Sequence, residues 1–216
     1  MVKIFAEFGG SALGHNGSIN EEPITKWFSS VIDELKTMPE VILLPRSTAF
    51  GYYDHNFVGV LERVTDHYPP RSSNLPRQRL WRIRAREVVL ATGSIERPLV
   101  FPNNDRPGVM MASAVSTYIN RYAVKLGSSA VVFTNNDSAY MAALDLVKSG
   151  VHVSAVVDPR SEPSGTLPTL VRQSGIPIWG DSVLVDVRGG KSVSAVDVMQ
   201  LDFTRKAVNG KRRRLE

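Results

Sequence analysis

The sequence predicts an α/β fold with Rossmann-like parallel sheets, helices and small antiparallel inserts, arranged as two incomplete dinucleotide-binding-type units. One observation is a strand, helix and strand in succession over residues 129–157, a length that suits a right-handed crossover between parallel strands. A second is the apolar run at 88–93, which ends in Thr92-Gly93 as a buried parallel strand does at the carboxyl edge of a sheet. A third is the alternation at 79–86, which indicates a half-exposed antiparallel strand.

The first half of the chain is predicted to form one helix and several short strands. Polar and acidic residues with an early proline precede apolar side chains at helical spacing, so we expect a helix near 21–37 that stops before Pro39. Pro and Ser mark 66–78 as a surface loop. The strands expected here lie at 41–45, which reads as buried, and at 47–53, 56–64, 79–86 and 88–93.

The second half is predicted to alternate between helices and strands. A helix near 112–126 stops at Gly127, and the β-α-β unit that follows ends at Asp158. The turn Arg188-Gly189-Gly190-Lys191 indicates a hairpin. The elements expected are strands at 129–133 and 151–157, helices at 137–149 and 166–174, and strands at 183–187 and 193–201. We therefore divide the chain into domains at 1–111 and 112–202, followed by a basic truncated strand or tail at 203–216.

The composition limits the possible chemistry. None of the 216 residues is cysteine, which excludes a disulfide scaffold, a thiolate metal site and a cysteine nucleophile. The four histidines have no metal-ligand spacing, and no metal site is expected. The chain has neither a membrane-length apolar run nor a signal-peptide pattern, so we expect a cytoplasmic protein that does not enter a membrane.

The net charge of +5 comes entirely from the end of the chain. Residues 205–216 contain six Lys or Arg and one acidic residue, and the remainder is neutral. Because this tail is similar in kind to the basic strand at 79–87, we expect a truncated strand whose last residues, 211–216, are frayed or poorly paired. We interpret the arginines of 79–86 as a solvated strand face and expect no nucleic-acid partner, because no aromatic stacking platform is expected on that face.

Several motifs carry a resemblance to a known group of proteins. The segments Ala91-Thr92-Gly93, Glu96-Arg97-Pro98 and Asp105-Arg106-Pro107-Gly108 resemble the two-dinucleotide-binding-domain flavoprotein superfamily. With the runs at 7–11, 49–55 and 132–140, the chain resembles the α subunits of heterotetrameric sarcosine oxidase. These subunits are several times longer, so the resemblance implies an internal fragment.

The resemblance implies a function within a complex. That complex oxidatively demethylates sarcosine to glycine with oxygen, giving hydrogen peroxide and formaldehyde, or methylenetetrahydrofolate with folate. It implies partners, namely a β subunit that carries FAD and further small subunits, with FMN at the α–β interface. It also implies a NAD in the α subunit that takes no part in turnover, and no catalytic residue in this segment. Two alternatives remain open: a related opine oxidase, proline dehydrogenase or hydrogen cyanide synthase α subunit, or a ligand-free interaction module.

The resemblance also assigns the residues that contact the dinucleotide. These lie in the first unit, although the acidic pair that grips the ribose falls in register at Lys3-Ile4 and is missing. The cofactor-binding candidates are Gly9, Gly10 and Ser11, then Ala49 and Phe50, and finally Thr92, Gly93 and Ser94.

The second unit fits the dinucleotide fingerprint poorly. Only Ala139 satisfies the glycine pattern, and side chains at Thr134 and Asn136 would obstruct a pyrophosphate, although Asp158 lies about where the ribose-binding acid belongs. We therefore favour a structural unit that does not hold NAD in the usual way, with Asp137 as the cap of its helix.

Overall fold

The computed structural model describes residues 6–14, 17–70 and 74–216 of the chain. Two compact units divide between Ser94 and Ile95, and each is described here by itself. The predicted domain boundaries at residues 111 and 202 stay predictions.

The first unit contains one helix and a three-stranded antiparallel sheet. Its elements are β1 (Ser18–Ile19), β2 (Glu22–Pro23), α1 (Ile24–Thr37), β3 (Ser47–Tyr53), β4 (Phe57–Arg63) and β5 (Gln78–Arg84), with 3-10 turns at Gly10–Gly14 and Asp54–Asn56. The predicted helix and the strands of this sheet are confirmed. The order β3-β4-β5 puts β4 in the middle, where Val60 is completely buried.

Two predicted strands of the first unit are wrong. The segment 41–45 contributes only a single bridge residue, Leu44, and Ile42 is 60% exposed. Residues 88–93 form no strand, and Val89 and Leu90 are 88% and 70% exposed. A parallel strand depends on hydrogen bonds to neighbours in its sheet, and no described strand pairs with 88–93.

The second unit combines a parallel and an antiparallel sheet. Its elements are α2 (Ala112–Tyr122), β6 (Ser129–Phe133), α3 (Ser138–Lys148), β7 (His152–Val157), α4 (Thr166–Gln173), β8 (Ile178–Trp179), β9 (Ser182–Arg188), β10 (Ala195–Leu201) and β11 (Val208–Leu215). The parallel sheet has the order β6-β7-β8, and the antiparallel sheet has β10 between β9 and β11. The predicted β-α-β unit is confirmed, as are α4 and the hairpin.

The core of the second unit lies between α3 and the parallel sheet. Tyr140, Ala143 and Leu146 recur at the spacing of one helix face, and they cluster with Val153 and Val156 of the central strand β7. A second cluster lies over the antiparallel sheet and includes Val187 and Val198, both nearly fully buried. Helix α3 therefore forms where the sequence places apolar residues on one helix face and the parallel sheet buries that face.

Helix α2 is shorter than predicted and has an unforeseen N-terminal partner. It ends at Tyr122 because Ala123 adopts a left-handed conformation with φ of 53° and its N–H bonds to Ile119 O. At the other end, the Glu96 carboxylate accepts the backbone N–H groups of Ala112 and Ser113, at 3.0 and 2.7 Å. A carboxylate at this position satisfies orphan donors and complements the helix dipole.

The expectation that residues 211–216 are frayed or poorly paired is wrong. Strand β11 pairs with β10, and the paired residues include Asp197 with Arg214 and Val198 with Arg213. The Asp197 side chain is 1% exposed and lies within 2.8 to 3.4 Å of the guanidinium groups of Arg188, Arg212 and Arg214. Two of the six basic side chains of the tail, Arg212 and Arg214, therefore bind a carboxylate of their own sheet.

Candidate functional site

The first group of predicted dinucleotide contacts begins a 3-10 turn in the first unit. Gly9 and Gly10 have φ values of 128° and 58°, a region that glycine enters without steric cost. Ser11 follows in the same turn, which is closed by the Ala12 N–H bonded to Gly9 O at 3.1 Å. Ser11 is exposed, whereas Gly9 and Gly10 are half-buried and the Leu13 side chain lies against Gly9.

The second group lies at a bulge in β3. Ala49 pairs with Val60 and Gly51 with Gly59, which leaves Phe50 as an extra residue between two registers. The Phe50 side chain is 56% exposed, and its ring lies so close to Gly59 that a Cβ there would be 2.7 Å from it. The bulge thus presents both unpaired backbone and an aromatic ring.

The third group lies beyond the antiparallel sheet, in the segment without regular structure. Thr92, Gly93 and Ser94 are all exposed, and Gly93 has φ of 73° with open space around the position of a Cβ. Within the described residues, no hydrogen bond or ion pair joins the three groups. Their backbone suits close approach of a pyrophosphate, but the groups include no carboxylate for a ribose, so the assignment stays a prediction.

The corresponding loop of the second unit is closed by its own hydrogen bonds. Thr134 Oγ1, in a residue that is 3% exposed, donates to Asn136 O at 2.8 Å. Asn136 Oδ1 accepts the N–H of Ser138 at 2.9 Å. Asp137 occupies the predicted N-cap position of α3, but its side chain makes no cap hydrogen bond and instead forms a 2.8 Å ion pair with Arg160.

Asp158 directly follows β7, and its carboxylate is fully buried and hydrogen-bonded to groups of its own unit. Its carboxylate accepts the Tyr140 hydroxyl at 2.9 Å and the Arg160 Nη2 at 2.7 Å, as well as the Arg160 backbone N–H at 2.8 Å. Burial, together with the hydrogen bond to Asp158, raises the pKa of Tyr140, and the hydrogen bond to Asp158 raises that of Arg160. A ribose cannot reach this carboxylate, which supports the structural interpretation of the second unit.

Sequence reasoning missed both partners of Asp158. It also missed the aromatic rings that lie beside the arginines of strand β5. Arg160 follows Asp158 by two residues, but Tyr140 reaches it only through the fold. The argument that no aromatic platform accompanies the arginines of 79–86 is wrong, because Arg82 lies 5.9 Å from the centre of the Phe57 ring on the neighbouring strand. Arg79 lies over Trp81 in a similar way, at 5.6 Å.

The described residues give two further findings. Nowhere in the described ranges do three or more His, Asp or Glu side chains group as a metal site. None of the described helices is long and apolar enough to cross a membrane.

Comparison with known proteins identifies relatives of this chain. No family model matches it. It is 43% identical over 190 residues to sarcosine oxidase subunit alpha of Rhizobium meliloti (strain 1021), covering 88% of the chain and 19% of that protein. It is also 43% identical over 200 residues to the protein of the same name from Corynebacterium sp. (strain P-1), covering 91% of the chain and 20% of that protein. The chain belongs to the sarcosine oxidase α-subunit family over the segment that it spans.

Solved structures share the fold of this α-subunit segment. Thioredoxin reductase of T. acidophilum superposes with a TM-score of 0.62 at 12% identity, covering 97% of this chain and 63% of that one. L-proline dehydrogenase of P. horikoshii gives 0.56 at 19% identity, covering 94% and 33%. The fold is thus the α/β, Rossmann-like type found in these oxidoreductases. The chain spans about one fifth of the length of the curated relatives it matches.

Proposed function

We propose that this chain is the dinucleotide-binding and scaffold segment of a sarcosine oxidase-like α subunit. The observation that supports the proposal most is the 39–43% identity to three sarcosine oxidase α subunits over 88–92% of this chain. In the proposed complex, sarcosine is demethylated oxidatively to glycine, with production of hydrogen peroxide and formaldehyde or methylenetetrahydrofolate. The complex belongs to the cytoplasm, and its other members are a β subunit and small subunits.

The cofactor of this segment in the proposal is NAD, which takes no part in turnover. Gly9, Gly10 and Ser11 would approach the dinucleotide with Ala49 and Phe50, and the segment Thr92–Ser94 would close the site. FAD and FMN belong to other parts of the complex. The positive φ of Gly9, Gly10 and Gly93, together with the exposure of Gly93, supports this assignment.

Nucleotide-dependent stability tests the cofactor assignment. A dinucleotide at a hundred times its Kd should stabilise the chain by about 2.7 kcal/mol. Gly93→Val would obstruct backbone approach, and Gly127→Val is a matched control because Gly127 also has positive φ and open space around it. We expect NAD to raise the melting temperature of the wild type and of Gly127→Val, but not of Gly93→Val. Equal shifts of the melting temperature in all three proteins would show that Gly93 is not part of the site.

One observation favours a second function for the isolated polypeptide, that of a ligand-free interaction module. The run at 88–93 is exposed and has no described partner strand, and Asp158 of the second unit is closed to a ribose. Unchanged melting with NAD and with FAD would favour the module.

Activity can be tested by placing this segment in the R. meliloti α subunit and measuring sarcosine-dependent hydrogen peroxide in the assembled complex. Retained turnover would support the oxidase assignment.

A further inference from the structure

The two faces of the β3-β4-β5 sheet differ in how their polar groups are satisfied. On one face, Trp81 Nε1 donates to Glu62 Oε2 at 2.7 Å, and Arg79 Nη1 lies 3.1 Å from the same carboxylate. Val60 is buried on this face as well. The charges of Glu62 and Arg79 on this side are therefore paired within the unit.

The opposite face is aromatic, exposed and basic. Strand register places Phe57 opposite both Tyr53 and Arg84, and Leu80 opposite Leu61. We name this surface the aromatic–arginine face, and its members are Phe50, Tyr53, Phe57, Leu80, Arg82 and Arg84. Phe50, Tyr53 and Leu80 are 56%, 54% and 59% exposed. The members at its centre line a shallow depression of about 320 Å³.

Two glycines allow two rings of this face to lie close to the backbone of the sheet. Gly51 and Gly59 are paired across β3 and β4. A Cβ at Gly51 would clash with the Tyr53 ring, and a Cβ at Gly59 would lie 2.7 Å from the Phe50 ring. The rings therefore occupy the space that side chains would fill. Because these rings are already positioned, a partner that packs on them loses less conformational freedom on binding.

The arginines of this face have no acidic partner among residues 6–14, 17–70 and 74–216. Among the described residues, neither Arg82 nor Arg84 forms an ion pair, whereas Arg79 on the opposite face is paired with Glu62. The Arg82 guanidinium lies over the Phe57 ring, 5.9 Å from its centre. Exposed aromatic side chains beside arginines are the residue types enriched at the centres of protein interfaces. The unpaired positive charge calls for carboxylates on the partner.

We propose that the aromatic–arginine face docks another protein subunit, through a surface that places carboxylates around an apolar centre. The identity of that partner rests on the proposed function, from which it is the β subunit of the oxidase. A face three strands wide, with exposed aromatic rings and two arginines that form no ion pair within the described part of the chain, suits a protein surface. It offers too few cations to neutralise the successive phosphates of a nucleic-acid backbone.

Binding of the purified β subunit from the same organism to this chain tests the proposal. Arg82→Glu should weaken binding at least about tenfold, because it sets like charges against each other, and Tyr53→Ala, at a ring of this face outside the proposed cofactor contacts, should weaken it by a similar factor. The control is Lys191→Glu, which makes the same charge change at an exposed residue of the second unit and should leave affinity unchanged. Wild-type affinity should fall as salt increases. Circular dichroism of every variant separates loss of docking from loss of fold.

The binding measurements either support the docking proposal or overturn it. No binding of the β subunit to the wild type, or equal weakening by Lys191→Glu, overturns the proposal. Binding of a single-stranded RNA oligonucleotide that depends on Arg82, without β-subunit binding, also overturns it in favour of a nucleic-acid surface. Docking that depends on Arg82 supports it, even if NAD fails to stabilise the chain. The docking face and the cofactor site can therefore fail separately.

Discussion

Replacing Asp197 by Asn tests whether the basic strand β11 is held by the buried carboxylate. Asp197 is 1% exposed, but Arg188, Arg212 and Arg214 are 44%, 50% and 57% exposed, so water screens each pair. Breaking a fully buried ion pair costs about 3–5 kcal/mol, and an exposed pair is worth about 0–1 kcal/mol. For one buried acid with three half-exposed partners, we expect a loss of about 2 kcal/mol.

The pH dependence gives an independent check on Asp197. Burial raises the pKa of its carboxyl, but the hydrogen bonds and charges of Arg188 and Arg214 lower this pKa by more than burial raises it. The pKa of Asp197 therefore lies below its ordinary value. A depressed folded pKa stabilises the protein above the unfolded value of about 3.9, and that stability is lost as the pH falls through the folded pKa. The difference between wild type and Asp197→Asn should therefore be constant near neutral pH and shrink in acid.

Urea denaturation followed by circular dichroism at neutral and acid pH measures both effects. Asp181→Asn is the matched control, since Asp181 pairs with Arg205 in an exposed position, 3.0 Å away. The control should lose less than about 1 kcal/mol. If Asp197→Asn is no less stable than Asp181→Asn, or if its deficit does not shrink in acid, the argument for β11 is refuted. Amide exchange at 212–214 should accelerate in Asp197→Asn alone.

Two further predictions concern the second unit. Tyr140→Phe removes a hydrogen bond to buried Asp158 and should cost about 1.5 kcal/mol in urea unfolding. Because burial and Asp158 raise its pKa, Tyr140 should stay protonated in an alkaline absorbance titration until the unit unfolds. Its stabilising contribution is complete below about pH 10 and is lost as the pH rises toward the raised value. Glu96→Ala removes the carboxylate that accepts two N–H groups of α2 and should lower stability by about 1 kcal/mol, with Glu96→Gln retaining part of it.

Elements whose signals are local could be predicted from the sequence. The apolar spacing of α3 and the β-branched runs on either side of it predict the β-α-β unit, because the residues that form each element are also neighbours in sequence. The antiparallel strands β3, β4 and β5 carry their alternation in the same way. The β-α-β part of the second unit could therefore be predicted without a structure.

Features that depend on distant partners could not be predicted. The run at 88–93 has the composition of a buried strand, but a strand also needs a neighbour, and none of the described strands pairs with it. Conversely, residues 211–216 look like a free basic tail until Asp197, in the middle of the sheet, is known to face them. The closure of Asp158 by Tyr140 likewise depends on a contact across 18 residues of sequence.

The two units differ in whether their polar groups are already bonded within the unit or remain accessible to a ligand. In the second unit, the loop at 134–138 bonds to itself, and Asp158 and Asp197 are covered by arginines of the same unit. In the first unit, the backbone at Gly93 is open and Arg82 has no acidic partner among the described residues. Buried polar groups that are already satisfied gain little from a ligand, whereas exposed ones can exchange water for it. Binding by this α-subunit segment is therefore expected in its first unit, with the second as scaffold.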